Sequence, residues 1–441
     1  MKVVIIGAGF AGLRLARKLN NKPGFEVYLI DKYNYHQFQP LYYQVATAAL
    51  DASNISFPLR KAFQKTKNVH VRVEELKSIH PEQKKIITTT EEISYDVLVV
   101  ATGADTNFFG NQKVANNAFP MKSVVEALQL RHRIIQNFED ALLAKDLAEI
   151  QKLLNIVIVG GGPTGVEVAG ALAEMKRYVL PKDYPELDFK LMNIYLLEGG
   201  DRTLGAMSEK SSDDSCRYLK KLGVTVMTKT IVKDYDGQNV LLADAGTIPT
   251  YTVIWAAGIK GNIPEGVDKS LIVRGNRIKV DRQNRMIGSA DVYVLGDLAY
   301  METAEWPQGH PQVASVAIQQ ADVLYENLKR IERKSSEFYD FGYNNKGSMA
   351  TIGRNLAVVD MPRPRLHIRG FLAWLIWMGL HLFLILGVKN RLMVFINWIY
   401  NYLTYDQSLR LIFKEFYRPR TPIDGGKQEQ IAPKQMAEQT V

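Results

Sequence analysis

The sequence predicts an α/β fold of two Rossmann-like dinucleotide-binding domains (an FAD/NAD(P)-binding fold) followed by a C-terminal helical segment. Three observations carry this: a strand, glycine turn, helix and strand at residues 3–30, the return of that grammar near Asn155, and a late change to aromatic, basic sequence. Val3, Val4, Ile5 and Ile6 form the first strand, and a glycine turn opens the helix behind it. Ile156, Val157, Ile158 and Val159 repeat the strand, residues 160–165 the turn, and residues 166–176 a helix with Ala, Val and Leu on its packed face. A connector at residues 123–154, rich in Leu, Ala, Glu and Lys without internal Pro or Gly, reads as helical. Buried strands at 97–101 and 253–257 run into the small turns Thr102-Gly103 and Ala257-Gly258 and close their domains. The expected boundaries are a first domain over 1–116 and 263–333, a second over 117–262, a C-terminal domain over 334–420 and a disordered tail over 421–441.

Composition narrows the function. The 441 residues are 46% hydrophobic and 23% charged with a net charge of +9, which is globular and excludes a collagenous, disordered or polytopic membrane chain. Cys216 is the single cysteine, so a disulfide framework, a multi-thiolate zinc site and a redox thiol pair are all excluded. The seven histidines are scattered, and no metal site is expected.

The first turn, Gly7-Ala8-Gly9-Phe10-Ala11-Gly12, is followed about 20 residues later by Asp31. Its glycines let backbone approach a pyrophosphate at a helix N-terminus, and the carboxylate accepts ribose hydroxyls. The second turn, Gly160-Gly161-Gly162-Pro163-Thr164-Gly165, has its acid at Glu198, delayed by a longer connection over 177–190. A carboxylate there favours a free 2′-hydroxyl over a 2′-phosphate, hence NADH over NADPH, although Arg202 lies close enough to meet a phosphate. The strand at 292–295 ends in Gly296-Asp297, which sets a carboxylate at the sheet edge where ligands sit.

Between Met361 and Arg420 nine basic residues stand against two acidic ones, and three of the five tryptophans (Trp374, Trp377, Trp398) fall there. That pairing points to an anionic, partly apolar lipid surface and not to nucleic acid, since the basic residues flank aliphatic runs. Residues 370–388 carry no charged side chain and reach about 28 Å as a helix, marginally a membrane span. The next helix, near 392–405, holds Asn397, Tyr400, Asn401 and Tyr402, which suit an interface. An in-plane pair, a single crossing and a buried core pair remain open. No signal peptide precedes the first strand, so the catalytic part is expected in the cytoplasm.

The order GAGFAG, ATG, GGGPTGVE, WAAGIKGN and GDLA resembles the two-dinucleotide-binding flavoprotein disulfide reductase superfamily. Within it, the segments at 38–46, 181–185 and 370–391 most resemble the type II NADH dehydrogenases, single-subunit NADH:quinone oxidoreductases. The resemblance implies FAD on Gly7, Gly9, Phe10, Ala11, Gly12, Asp31, Lys32, Gln44, Val73, Ala101, Thr102, Gly103, Gly296, Asp297 and Ala317. It implies NADH on Gly160, Gly162, Pro163, Thr164, Gly165, Glu198 and Gly258, with Glu167 near the nicotinamide. Equally, Glu167 reads as an acid on the first helical turn, favoured by the helix dipole. A quinone would meet Ala314, Ser315, Ile318, Gln319 and Lys389, with Glu167 and Gln319 catalytic. Ser315 stands where the family often has Gln, and the small alanines of this stretch equally serve a tightly packed helix.

The implied activity is hydride transfer from NADH to FAD and then two electrons to a membrane quinone, without proton pumping. The setting is the cytoplasmic face of the cell inner membrane, with a peripheral homodimer on anionic lipid. A soluble-type NAD(P)H:ferredoxin reductase and a membrane-docked NADH-sensing flavoprotein are the alternatives. The apolar C-terminal segment argues against the first, and turnover with quinone separates the second.

Overall fold

The two glycine turns sit at the carboxyl ends of two parallel five-stranded sheets in a computed structural model that describes residues 1–413. The tail expected over 421–441, and the basic residues Lys414, Arg418 and Arg420, lie outside the described residues. The chain lays down β1 (Lys2–Ile6), β2 (Glu26–Asp31), β3 (Val69–Val73) and β4 (Val97–Val100), then β5 (Phe119–Pro120), β6 (Ile156–Val159), β7 (Ile194–Leu197), β8 (Thr225–Met227) and β9 (Thr252–Trp255). β10 (Val292–Val294) returns to the first sheet, giving the orders β10-β4-β1-β2-β3 and β5-β9-β6-β7-β8. In each sheet an antiparallel three-stranded meander precedes the strand that pairs back onto the central one. The central strands are buried along their length, which explains their unbroken Val and Ile runs: both faces of a parallel sheet are covered.

The principal helices are α1 (Phe10–Leu19), α2 (Tyr42–Ala46), α3 (Val124–Leu143), α4 (Leu147–Leu154), α5 (Pro163–Tyr178), α6 (Glu209–Leu222) and α7 (Ala314–Glu332). The connector is two helices where sequence periodicity suggests one. The Asp146 side chain accepts from the Glu149 N–H at 3.3 Å and starts α4, a capping signal that outweighs the absence of Pro or Gly.

The C-terminal domain is an antiparallel sheet, β11 (Ser348–Gly353), β12 (Leu356–Pro362) and β13 (Arg365–Arg369), followed by α8 (Phe371–Leu384) and α9 (Val388–Thr404). β11 lies on α5 because residue 170 is glycine: a Cβ there would come within 1.6 Å of the Ile352 carbonyl oxygen. His367 fastens β13 to α6, its Nε2 at 3.0 Å from Asp214 and its Nδ1 at 2.9 Å from Asp360.

The apolar stretch that is marginally long enough for a span is broken after Leu384. Ile385 is extended, Gly387 turns at φ +91°, and α8, at 14 residues, is about 21 Å long. Among the described residues no helix is long and apolar enough to cross a membrane, which removes the single-crossing alternative. The buried-pair alternative falls as well. Each helix buries a narrow stripe (Ala373, Trp377, His381; Val394, Trp398) and exposes a broad apolar face that includes Phe371, Leu372, Phe383, Leu392, Ile396 and Leu403.

Candidate active site

The two turns repeat one geometry. Gly7 and Gly160 have φ of +97° and +109°, and Cβ atoms there would lie 2.2 Å from the Ala101 oxygen and 2.7 Å from the Ala256 carbonyl. At Gly12 and Gly165 a Cβ would overlap the oxygens of Gly7 and Gly160, each at 1.9 Å. The middle glycines differ: around Gly9 and Gly162, and also Gly103, a Cβ meets nothing within 4 Å. Four glycines are therefore needed by the protein's own packing and Gly103 by its φ of +69°, while Gly9, Gly162 and Gly103 face open space, as a cradle for a bulky pyrophosphate-bearing ligand demands.

The strand-end acids match too. Asp31 accepts from the Ala8 and Tyr33 N–H groups at 2.6 and 2.7 Å, and Glu198 from Gly161 and Gly200, each at 2.6 Å. Each carboxylate thus ties its own loop at the mouth of the site. Burial raises Asp31 above the ordinary carboxyl range, opposed by those amides.

Other expected residues of the first site converge. Gly296 packs toward the Cβ atoms of Ala317 and Ala11 and donates its N–H to Gln320 Oε1 at 2.7 Å. Thr102 Oγ1 donates to the Asn262 carbonyl at 2.6 Å, which joins the domain junctions. Asp297 is pushed up by burial while Lys122 and Arg277 pull it down. Phe10 and Ala101 line the turn, and Val73 and Lys32 are exposed beside Asp31 at the sheet edge. In the second site Gly162 is the N-cap of α5 with Pro163 in its first turn, Thr164 is exposed, and Gly258 turns at φ +91° against Phe109.

A cavity of about 140 Å³ lies between α5, α2 and the C-terminal helices, with Tyr43, Glu167, Ala171, Trp377, Trp398 and Tyr402 among its walls. Glu167 is buried on α5, and among the described residues the only hydrogen bond to its carboxyl is a long one, 3.4 Å, from the Thr351 N–H of β11. The Trp377 indole N–H approaches the same carboxyl and favours its charged form without closing a hydrogen bond of full geometry. Desolvation dominates and pushes Glu167 up to about 8, so it holds a proton at neutral pH. A surface acid on a first helical turn would be ionised; Glu167 is instead buried beneath β11.

Not every expected residue reaches this cavity. Gln44 does, but as a clamp: its Nε2 donates to the Tyr43 hydroxyl and its Oε1 accepts from Trp398 Nε1, both at 2.7 Å. Gln319 is committed elsewhere, its amide donating to the Asn344 carbonyl at 3.0 Å and accepting from the Asn344 N–H at 2.9 Å. Ser315 shares a hydrogen bond with the Tyr343 hydroxyl at 2.9 Å. Ala314 and Ile318 stand with them on the first turns of α7, outside the cavity lining. Lys389 is exposed on the first turn of α9, also outside it. The sequence reading missed Tyr43, Glu174, Arg354, Trp377 and Trp398 as cavity residues. Glu174 carried a signal, since it is a second acid two turns after Glu167 on a helix otherwise packed with Ala, Val and Leu.

Comparison with known proteins identifies the family of the chain. Residues 1–321 match the family described as pyridine nucleotide-disulphide oxidoreductase, and residues 345–405 match the NDH2 C-terminal domain. A type II NADH:quinone oxidoreductase, NdhA, of Mycobacterium tuberculosis is 35% identical over 90% of this chain and 86% of its own. A type II NADH:quinone oxidoreductase of Haemophilus influenzae is 27% identical over 81% and 86%. The NDH2 structure of Plasmodium falciparum in complex with NADH superposes with a TM-score of 0.84 at 22% identity, over 94% of this chain and 99% of that one.

Proposed function

The chain belongs to the type II NADH:quinone oxidoreductases, and from that premise we propose how its residues carry the reaction. The protein is a membrane-associated flavoenzyme that uses FAD to pass electrons from NADH to a quinone without pumping protons. Bound FAD supplies the acceptor for hydride and the donor to quinone.

The protein's part is binding, orientation and the handling of one proton. The cradle at Gly7, Gly9 and Gly12 with Asp31, Thr102, Gly103 and Asp297 holds FAD, and Gly160, Gly162, Gly165 and Glu198 hold NADH. Glu198 meets the ribose hydroxyls and repels a 2′-phosphate, so NADH is used over NADPH. We assign quinone to the cavity bounded by Glu167 and the tryptophans of α8 and α9. The carrying observation is Glu167, an acid protonated at neutral pH and aimed into an apolar-walled space that opens beside the two amphipathic helices. Glu167 gives its proton to the quinone oxygen as charge develops there. The helices lie in the membrane face, Lys389 and Arg391 meet anionic headgroups at its rim, and the two dinucleotide domains stand on the cytoplasmic side. A homodimer is the assembly that the resemblance implies.

The test is stopped-flow mixing of the FAD-loaded protein, first with NADH or NADPH, then with ubiquinone or menaquinone analogues. NADH is expected to bleach the flavin faster than NADPH, and quinone to restore its absorbance within the turnover time. Bleaching by NADH with no recovery on quinone addition overturns the quinone assignment and favours the sensing alternative.

A further inference from the structure

We propose that Glu174 is a positioning residue for protons, the inlet through which Glu167 is reloaded from water during each turnover. This rests on the reading of the cavity as the quinone site. The balance demands an inlet: NADH + H⁺ + Q gives NAD⁺ + QH₂, so the hydride brings two electrons and one of the two hydrogens, and the second arrives as a proton from solvent. Glu167, buried behind Trp377 and Tyr43, gives up one proton and must recover it.

Glu174 lies seven residues after Glu167 on α5, hence on the same face and about 10.5 Å along it, and lines the same cavity. That separation is too long for direct transfer. Once the quinol has left, the cavity of about 140 Å³ holds several waters. Tyr43 lines the cavity with both glutamates, and because its hydroxyl accepts from Gln44 its own proton is left to donate.

The other ionisable groups around Glu174 mark the outer end of the cavity. Tyr178 follows it on α5, and Arg354, in the turn after β11, donates its N–H to the Glu174 carboxyl. The Arg354 guanidinium is wedged between Tyr402 and Tyr405, 3.8 and 3.9 Å from their ring centres, and its Nε and Nη1 have no hydrogen-bond partner among the described residues. Asp406 completes the rim. Burial raises both glutamates, and among the described residues Glu174 alone has a cation, Arg354, working against the rise. Glu174 thus stands between the Arg354 rim and the cavity, and water in the cavity links it to an ionised Glu167.

The experiment uses the FAD-loaded holoenzyme and a short-chain ubiquinone analogue, with Glu174→Gln and Glu174→Asp. Flavin bleaching by NADH should be unchanged in both. Quinone-driven recovery in Glu174→Gln should fall roughly tenfold at pH 8 and much less at pH 5.5, where protons are abundant, with KM for quinone unchanged and Asp restoring most of the rate. Infrared difference spectra of the oxidised protein titrated from pH 5 to 9 supply a readout independent of turnover, in which Glu174→Gln should remove one titrating carboxyl C=O band. A Glu174→Gln enzyme with wild-type recovery at both pH values, or one whose defect is the same at both and sits in KM, overturns the inlet while leaving the quinone reading intact. A wild-type holoenzyme that ignores quinone overturns the functional reading itself.

Discussion

Glu167→Gln isolates the energetic consequence of burying an acid beneath the C-terminal domain. The wild-type carboxyl is raised from 4.5 to about 8 by desolvation. Between those values the folded chain keeps a proton that the unfolded chain has released, so the wild-type protein loses stability as pH rises from about 4.5 and the loss levels off above 8. At 1.36 kcal/mol per tenfold in proton affinity, the cost is about 1.4 kcal/mol at pH 5.5 and ~4.6 kcal/mol at pH 8.5, a difference of about 3 kcal/mol. Glutamine keeps the shape and can still accept from the Thr351 N–H but does not titrate. Its melting temperature should therefore gain on wild type by about 3–4 °C more at pH 8.5 than at pH 5.5, for a chain of this length. The same variant should lose most quinone-driven recovery because the proton is gone. Differential scanning calorimetry at the two pH values decides the point. A gap that is equal at both, or that narrows at pH 8.5, refutes the argument that Glu167 is held neutral.

Four further outcomes follow from the same structure. Gly162→Ala adds a methyl group that meets no protein atom, so Tm should be unchanged while KM for NADH rises by roughly tenfold or more. Gly160→Ala, at φ +109° and 2.7 Å from the Ala256 carbonyl, should fail to accumulate as folded protein. Gly170→Ala places a methyl group 1.6 Å from the Ile352 oxygen and should cost several kcal/mol, read as early proteolytic release of the C-terminal domain with flavin binding retained. Deletion from Gly370 onward removes both amphipathic helices and should abolish co-sedimentation with anionic vesicles while leaving NADH bleaching of the flavin in place.

What the sequence made legible was local in the chain. The glycine turns, their strands and the acids Asp31 and Glu198 each depend on neighbours within one βαβ unit, and hydrophobic runs, glycine spacing and a strand-end carboxylate report such neighbours directly. The cavity was hidden because it is assembled from distant parts. Tyr43 and Trp398 meet through Gln44 across 354 residues, and Thr351 reaches Glu167 across 184. Gln319 illustrates the opposite error: its place in a motif was clear, but nothing local announced that the 344 backbone occupies both ends of its amide. The break that divides residues 370–388 also has a local cause, Gly387, yet composition alone read straight through it.

The duplicated architecture shows where the two dinucleotide helices come to differ. Counting from the last glycine of each turn, Glu167 in α5 corresponds to Arg14 in α1, and Gly170 to Arg17. Arg14 lies at the surface and pairs with Asp322 of α7 at 2.8 Å, an exposed ion pair of small energetic weight. α1 therefore offers its outer face to solvent and its inner face to the first sheet and α7. In α5 the glycine at 170 admits β11 to the outer face, and β11 brings Thr351 onto Glu167 and Arg354 onto Glu174. The acid is buried, and its proton retained, only because this second layer arrives. The same layer carries α8 and α9 with their exposed apolar faces, so the segment proposed to meet the membrane also turns a repeated dinucleotide helix into one wall of the proposed quinone cavity. A chain that kept both glycine turns but lost β11 would retain its nucleotide cradles and expose Glu167 to water, where its carboxyl would ionise and have no proton to give at neutral pH.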